Sequence, residues 1–223
     1  MLKLSAEDHA RVSEAIAAAE AKSDGEIIAI AAERSDAYHD VGLHWAVLAM
    51  VAALAFFAAM PQWLTWWYDQ LSGWSAEPSL RELLTLLLFF ALLKFLAVLF
   101  ILKWTPLRMA LTPGSTKTRR VRRRAVMLFK TGGERRTVGR TGILIYLSMA
   151  EHRAEIVGDE AITAATTPET WGEAMTALLT QVKAGRPGDG IVAAIELIGD
   201  VLAEHFPKTS TDTNEIPDKL IEL

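Results

Sequence analysis

Residues 83–102 read LLTLLLFFALLKFLAVLFIL and contain a single charged residue, Lys94. A helix rises about 1.5 Å per residue, so about 20 apolar residues are enough to cross the hydrocarbon core of a bilayer. A second apolar block, Val41–Tyr68, contains no charge when histidine is counted as neutral. A chain of 223 residues has too little material to bury two such helices on all sides. The sequence therefore predicts a two-helix transmembrane hairpin at residues 41–104 with a short external loop.

The charged residues are strongly segregated along the chain. Residues 103–140 carry 12 Lys and Arg against 1 Asp or Glu, whereas residues 141–223 carry 5 against 14. The predicted loop, residues 61–82, holds one basic residue, Arg81. Because basic residues accumulate on the cytoplasmic side of membrane helices, we expect both termini in the cytoplasm. The predicted location is the bacterial inner membrane, as a multi-pass protein.

Several classes of chemistry are excluded by composition and motif. The chain contains no cysteine, which excludes disulfides, thiolate zinc sites and cysteine nucleophiles. It also lacks a P-loop, a dinucleotide fingerprint, an HExxH pair and a G-x-S-x-G elbow. The five histidines show no paired ligand spacing. No established catalytic pattern is therefore present in the sequence.

Outside the apolar blocks, the periodicity predicts alternating helices and strands. The predicted elements are a helix from a capping box at Ser5 to about Lys22, a strand Glu26–Ala32, a helix at 118–129, strands Gly142–Ser148 and Ala154–Val157, a helix from Pro168, a loop at 185–190 and a helix Ile191–Phe206. The part before the hairpin is too small to fold alone, and the part after it could pack alone but has just two clear strands. We therefore expect residues 1–40 and 105–206 to be two parts of one α/β domain, followed by a flexible tail at 207–223.

Two of these segments carry a resemblance to a known family. They are the stretch Thr141-Gly-Ile-Leu-Ile-Tyr146 and the stretch Glu155-Ile-Val-Gly-Asp159. With the order of the other elements, they resemble the TPM domain, and more closely its bacterial membrane branch, in which a transmembrane hairpin interrupts the domain. The resemblance covers about residues 5–36 and 118–206. It implies a TPM-like sandwich, with a central sheet flanked by helices.

The resemblance also implies several kinds of function. Some relatives have been assigned acid phosphatase activity, some bind calcium or similar ions through acidic loop residues, and others act as accessories of membrane complexes. This sequence lacks the export signal of the soluble relatives, and its turn at residues 158–160 is shorter than theirs. Both differences weaken a transfer of phosphatase activity.

Acidic residues near the strand ends are the candidate metal ligands. They are Asp24, Glu26, Asp159, Glu160 and Asp189. Strand ends in α/β domains often face a common crevice, so these carboxylates could converge on Ca²⁺ or Mg²⁺. Such a cation could polarise a phosphoryl oxygen or activate water. The alternative is that these aspartates cap helices and stabilise turns, and Asp159, directly before a helical stretch, fits a cap well.

A basic segment follows the second apolar block. It contains Arg119, Arg120, Arg122, Arg123 and Arg124. Three interpretations are open: a solvated helix face, a nucleic-acid surface and a surface against anionic lipid head groups. No aromatic residues are interleaved with the arginines, which argues against nucleic acid. The segment begins shortly after the second span, so lipid head groups are the nearest polyanion, and each basic residue there contributes about 1 kcal/mol.

Lys94 lies near the middle of the second span, where a charge is costly and often functional. Its long side chain could snorkel to the interface or meet a partner chain, or it could line an ion pathway. A lone central lysine in a two-helix anchor is also compatible with a homo-oligomer.

The function predicted from these features is that of a non-catalytic accessory. We expect a membrane-anchored protein that binds an unidentified membrane protein partner, in a membrane complex or a cell-envelope process. The alternative is a metal-dependent phosphatase that uses the acidic loop residues. A third possibility, a small channel or transporter subunit, depends on Lys94 alone, and two helices make a poor transporter.

Overall fold

The structure is a computed structural model, and it describes residues 4–72, 77–132, 141–209 and 217–223. The chain divides into two compact units. The first, which we call the split domain, comprises Met1–Asp36 and Gly114–Leu223. The second, the hairpin unit, comprises Ala37–Pro113.

The described residues form helices and strands with the following bounds. They are α1 (Ala6–Glu20), β1 (Glu26–Ala32), α2 (His39–Ala59), α3 (Pro61–Ser72), α4 (Leu80–Ile101), α5 (Thr105–Ala110), α6 (Gly114–Gly132), β2 (Gly142–Ser148), β3 (Arg153–Gly158), α7 (Glu160–Ala165), a 3-10 turn (Pro168–Trp171), α8 (Gly172–Lys183), α9 (Pro187–His205) and β4 (Leu220–Glu222). The predicted strands lie at or within one residue of the observed bounds.

The strands of the split domain form one sheet in the order β3-β2-β1-β4. β1 and β2 are parallel and in register from Glu26 opposite Gly142 to Ala32 opposite Ser148. β3 is antiparallel to β2, and β4 is parallel to β1. The strand that precedes the hairpin unit thus pairs along its full length with a strand that follows it.

Both faces of the sheet are covered by helices. Every residue of β1 and β2 is buried, as expected for central strands packed on both sides. One face, which includes Ile27 and Ile145, packs against the apolar sides of α1, α8 and α9. The other face, which includes Ile28 and Leu144, packs against Val121 and neighbouring residues of α6. The structure confirms the predicted α/β class with a central sheet flanked by helices.

Helix α9 begins earlier than the sequence predicted. Residues 185–190 were expected to be a loop, but the helix starts at Pro187, which suits the first turn because proline needs no N–H partner there. Gly190 then allows close packing against α8. A Cβ at Gly190 would lie 2.7 Å from the carbonyl oxygen of Leu178. Gly190 therefore serves helix packing, whereas Gly185, with a φ of 81°, lies in the turn before α9.

Residues 217–223 do not fit the prediction of a flexible tail at 207–223, of which residues 210–216 lie outside the described residues. Residues 220–222 form β4 on the outer edge of β1, and Leu220 is buried in the core. The N–H of Leu223 donates to the carbonyl of Ala31, and the N–H of Glu33 donates to the carbonyl of Leu223, both at 3.0 Å. The edge of β1 offers unpaired backbone groups, and a short apolar segment satisfies them.

In the hairpin unit, α2 and α4 pack against each other, and both are long and apolar enough to cross a membrane. Large apolar side chains on α4, such as Leu84, Leu88 and Leu96, are exposed in the isolated chain. Lys94 is exposed on the same helix. Residues 61–72 of the predicted loop form helix α3, and Trp63 is among its exposed side chains.

Candidate functional site

An open groove runs along β3, the edge strand of the sheet. Its floor is Glu155–Gly158, and its volume is about 490 Å³. Arg122 and Val126 of α6 form one wall, and residues of α7 and α8 and of the turn between them, including Trp171, form the other. A second depression of about 540 Å³ shares Val126, Val157, Gly158 and Thr163 with it. We call the two together the edge groove.

The backbone of Ile156 faces this groove with its hydrogen-bonding groups. The N–H of Asp159 donates to the carbonyl of Gly142 at 2.8 Å, so these two opposite residues form a hydrogen-bonded pair of the β2–β3 ladder. Backbone groups alternate in direction along a strand, so Val157 and Glu155 bond to β2 and Ile156 points outward. Within the described ranges, no residue bonds to this N–H or carbonyl. The groove therefore exposes one unused segment of sheet edge.

The side chains at the groove mix apolar surface with paired charges. Glu155 is half-buried, and burial raises the pKa of its carboxyl group above the ordinary value. The guanidinium groups of Arg122 and Arg153 act in the opposite direction and favour the carboxylate. The remaining lining is largely apolar, with Ile162 and Met175 opposite α6. Such a surface suits an extended segment with apolar side chains.

Asp159 closes one end of the groove as a helix cap. Its side chain accepts the N–H of Glu160 at 2.8 Å, and its main-chain carbonyl accepts the hydroxyl of Thr163 at 2.9 Å. A Cβ at Gly158 would lie 2.8 Å from the Ile162 side chain, so the chain must be glycine there to bring α7 this close. The capping role, which the sequence suggested as the alternative to metal binding, is therefore observed for Asp159.

Four of the five predicted metal ligands lie at one end of the sheet. Asp24 and Glu26 are at the amino end of β1, and Asp159 and Glu160 follow the carboxyl end of the antiparallel strand β3. Asp24 accepts the N–H and the hydroxyl of Thr209, both at 2.7 Å. These hydrogen bonds lower the pKa of Asp24. Its carboxylate thus holds Thr209, in the segment that follows α9, by two hydrogen bonds.

Asp189, the fifth candidate ligand, lies elsewhere. It accepts from Arg11 at 2.7 Å and lies 3.4 Å from Arg186. The contacts of Gly188 with Asp8 and of Gly199 with Ala19 show that α9 runs beside α1 in the same direction. The N–H of Asp24 donates to the carbonyl of Phe206, and the seventeen residues from Asp189 to Phe206 place Asp189 about 25 Å along α9 from that end. Within the described parts of the chain, no three acidic or histidine side chains are placed to hold one metal ion.

The five arginines of the basic segment do not share one surface. Val121 and Ala125 turn one side of α6 to the sheet, so the arginines divide among the remaining directions. Arg120 is mostly buried and donates to Asp36 at 3.0 Å. Arg119, Arg122 and Arg123 are exposed, and Arg124 is half-buried. Only part of the predicted lipid-facing set is therefore available to a ligand.

Glu20 is a buried acidic residue that the sequence reasoning missed. It lies at the end of α1, 6% exposed, and accepts the N–H of Ile27 at 2.8 Å. The signal was present in the spacing, because Glu20 follows Ile16 by four residues and so shares the buried side of the helix. A charged residue at a core position of an amphipathic helix indicates a buried charge.

Comparisons with known proteins agree with the fold. Residues 107–201 match the family model described as TPM domain, under the name TPM phosphatase. No curated protein gives a significant match. The NMR structure of the BA42 protein from the psychrophilic bacterium Bizionia argentinensis is similar to this chain, with a TM-score of 0.56 and 19% identity. The similarity covers 99% of this chain and 95% of that one, and at this identity it shows the fold alone.

Proposed function

We propose that this chain, which carries a TPM domain at residues 107–201, is a membrane-anchored protein that binds a partner and does not catalyse a reaction. The edge groove along β3 receives an extended segment of that partner, which adds to the sheet as a further strand. The partner is a membrane protein or a component of a cell-envelope process. The observation that carries this proposal is the outward N–H and carbonyl of Ile156 at the floor of an apolar groove.

The anchor is the hairpin of α2 and α4, whose length and composition suit a bilayer. In our proposal the hairpin lies in the bacterial inner membrane with both termini in the cytoplasm, because the basic residues follow α4. The exposed Arg119, Arg122 and Arg123 then interact with anionic lipid head groups. Lys94 snorkels or meets a second copy of the chain. Reporter fusions that place the two termini on opposite sides of the membrane would contradict this orientation.

Ile156→Pro tests the strand addition directly. Proline removes the outward N–H of residue 156 but leaves the β2 ladder intact, since Glu155 and Val157 supply that ladder. A photo-crosslinking residue at Thr167, which lines the groove, should capture a partner in native membranes. We expect Ile156→Pro to reduce this crosslinked product at least about tenfold, which corresponds to about 1.4 kcal/mol.

Two controls separate strand addition from nonspecific loss. Ile156→Ala keeps the N–H while removing most of the side chain, so its crosslinked product should persist. The same crosslinking residue at the exposed Thr180 of α8, outside the groove lining, should capture no such partner. Equal losses in Ile156→Pro and Ile156→Ala would show that the backbone of β3 is not used.

The alternative function is a metal-dependent phosphatase, and the shared position of Asp24, Glu26 and Asp159 at one end of the sheet favours it. We expect purified protein to show no turnover of a generic phosphomonoester above background, with or without Mg²⁺ or Ca²⁺. Asp159→Asn distinguishes the two roles, because asparagine still caps α7 but is a poorer cation ligand. Cation-dependent turnover that is lost in Asp159→Asn would establish the phosphatase instead.

A further inference from the structure

The carboxyl group of Glu20 lacks a complete set of donors although it is buried. Its Oε1 accepts the N–H of Ile27 at 2.8 Å. Its Oε2 is buried, and among the described residues it has no hydrogen-bond donor. A buried carboxylate oxygen without a donor is costly, whereas a protonated carboxyl group donates a hydrogen bond of its own.

The charged groups that act on Glu20 are themselves acidic. They are Glu26, the first residue of β1, and Asp218, two residues before β4. Leu220 of β4 lies opposite Ala29, so Asp218 lies level with Ile27, the residue whose N–H Glu20 accepts. The carboxyl groups of Asp218 and Glu20 therefore interact. Two carboxylates offer only acceptors, so this contact requires a proton on one of them. Burial, followed by the charges of Glu26 and Asp218, raises the pKa of Glu20 to about 8.

The cations on the surrounding elements have other partners or point to solvent. Lys22 lies 3.9 Å from Asp200 of α9, and His9 pairs with Glu222 of β4. Arg11 pairs with Asp8 and Asp189, and Lys219 is exposed. In the part of the chain that the structure describes, none of these cations pairs with Glu20.

We infer that Glu20, Glu26 and Asp218 form a proton-dependent latch that holds the C-terminal strand β4 on the edge of β1. The latch is closed while a proton is shared between α1 and the segment before β4. Loss of that proton places adjacent negative charges between the two segments and favours release of β4. The strand is short and pairs with three residues of β1, so the latch adds to a small set of other contacts, namely buried Leu220, the backbone bonds of Leu223 and the His9–Glu222 pair.

The direction of the pH effect follows from linkage. With β4 bound, the pKa of Glu20 is about 8. Release of β4 removes the contribution of Asp218 but not the burial of Glu20 or the charge of Glu26, so the pKa of Glu20 falls only part of the way towards its ordinary value. Between the two values the closed form binds the extra proton, so rising pH favours opening. The opening equilibrium should rise by up to about tenfold per pH unit over this interval below pH 8 and then level off.

Hydrogen exchange of the full chain in lipid nanodiscs tests this inference. We expect the protection of residues 217–223, corrected for intrinsic exchange rates, to fall between pH 6 and 8 and to be constant above about pH 8. Glu20→Gln keeps a donor toward Asp218 at every pH, so protection should remain high and independent of pH. Asp218→Asn should behave in the same way.

Two further variants and one internal reference complete the test. Glu14→Gln, at an exposed position of the same helix, should keep the wild-type pH dependence. His9→Asn should also keep it, because His9 belongs to the separate pair with Glu222. Protection of β2 identifies any variant that has unfolded. If protection of residues 217–223 shows the same pH dependence in the wild type, Glu20→Gln and Asp218→Asn, the latch does not exist. The inference does not depend on the proposed role of the edge groove.

Discussion

Excision of residues 37–113, with a short Gly-Ser linker joining Asp36 to Gly114, should yield a water-soluble protein that keeps the complete sheet. The sheet and both of its apolar clusters are built from residues outside the excised range. Both helices that could cross a membrane lie inside it. Asp36 bonds to Arg120, about 9 Å along α6 from Gly114, so a linker of about six residues is long enough.

The measurement is the fraction of protein that stays in the supernatant after ultracentrifugation, together with the amide protection of β1 and β2. We expect nearly all of the excised protein in the supernatant, against nearly none of the full chain without detergent. Removal of residues 1–113 is the control, because it also deletes α1 and β1 and leaves β2 without its parallel neighbour. That shorter protein should aggregate. A soluble, folded product from the control alone would show that the split domain does not need its first part.

Gly199→Leu should produce the second large effect, a loss of stability in the split domain. A Cβ at Gly199 would lie 2.7 Å from the Cβ of Ala19 and 3.3 Å from its Cα. Neither atom can rotate away, so α1 and α9 must separate to admit a leucine. Overpacking of this kind costs about 3 kcal/mol, which is a large part of the stability of a small domain. Native-state hydrogen exchange of the β2 amides in the full chain measures the loss.

Gly172→Ala is the matched control for this substitution. Gly172 has helical φ and ψ angles, and a Cβ there meets no atom within 4 Å. Alanine should therefore stabilise α8 by about 0.4–1 kcal/mol, because glycine loses more backbone entropy on folding. The free energy of unfolding should fall for Gly199→Leu and rise for Gly172→Ala. The two substitutions therefore distinguish the effect of packing from that of helix propensity. A destabilisation at Gly172 equal to that at Gly199 would show that the contact with Ala19 is not the cause.

Local pattern was sufficient to predict the central strands and most of the helices. The apolar run Glu26–Ala32 and the run Gly142–Ser148 are bounded by turn residues and buried on both faces, so composition and length identify them. The shortage of strands on either side of the hairpin led us to expect one domain in two parts, but it did not indicate which strands pair. The strand predictions were confirmed because they rest on burial, which the apolar runs report directly.

Tertiary contacts account for what the sequence analysis missed. β4 is three residues long and lies in a polar segment, so its formation depends on the free edge of β1. The early start of α9 depends on close approach to α8 at Gly190, which no local preference indicates. At the candidate site, the sequence left two roles open for the acids, metal binding and capping, and could not show which of them lie together. Asp189 is held by Arg11, from an element far away in the sequence.

The pairing of β1 with β2 also determines the order of events during synthesis. Roughly a hundred residues separate the two strands, and at about 5–20 residues per second the ribosome needs on the order of 5–20 seconds to make them. During that interval Glu26–Ala32 has emerged without the neighbour that buries it, and an apolar strand with open edges is prone to self-association. Closure of the sheet must wait until the entire hairpin has been made. Nascent chains that stall within the hairpin should therefore require chaperone protection of their first forty residues.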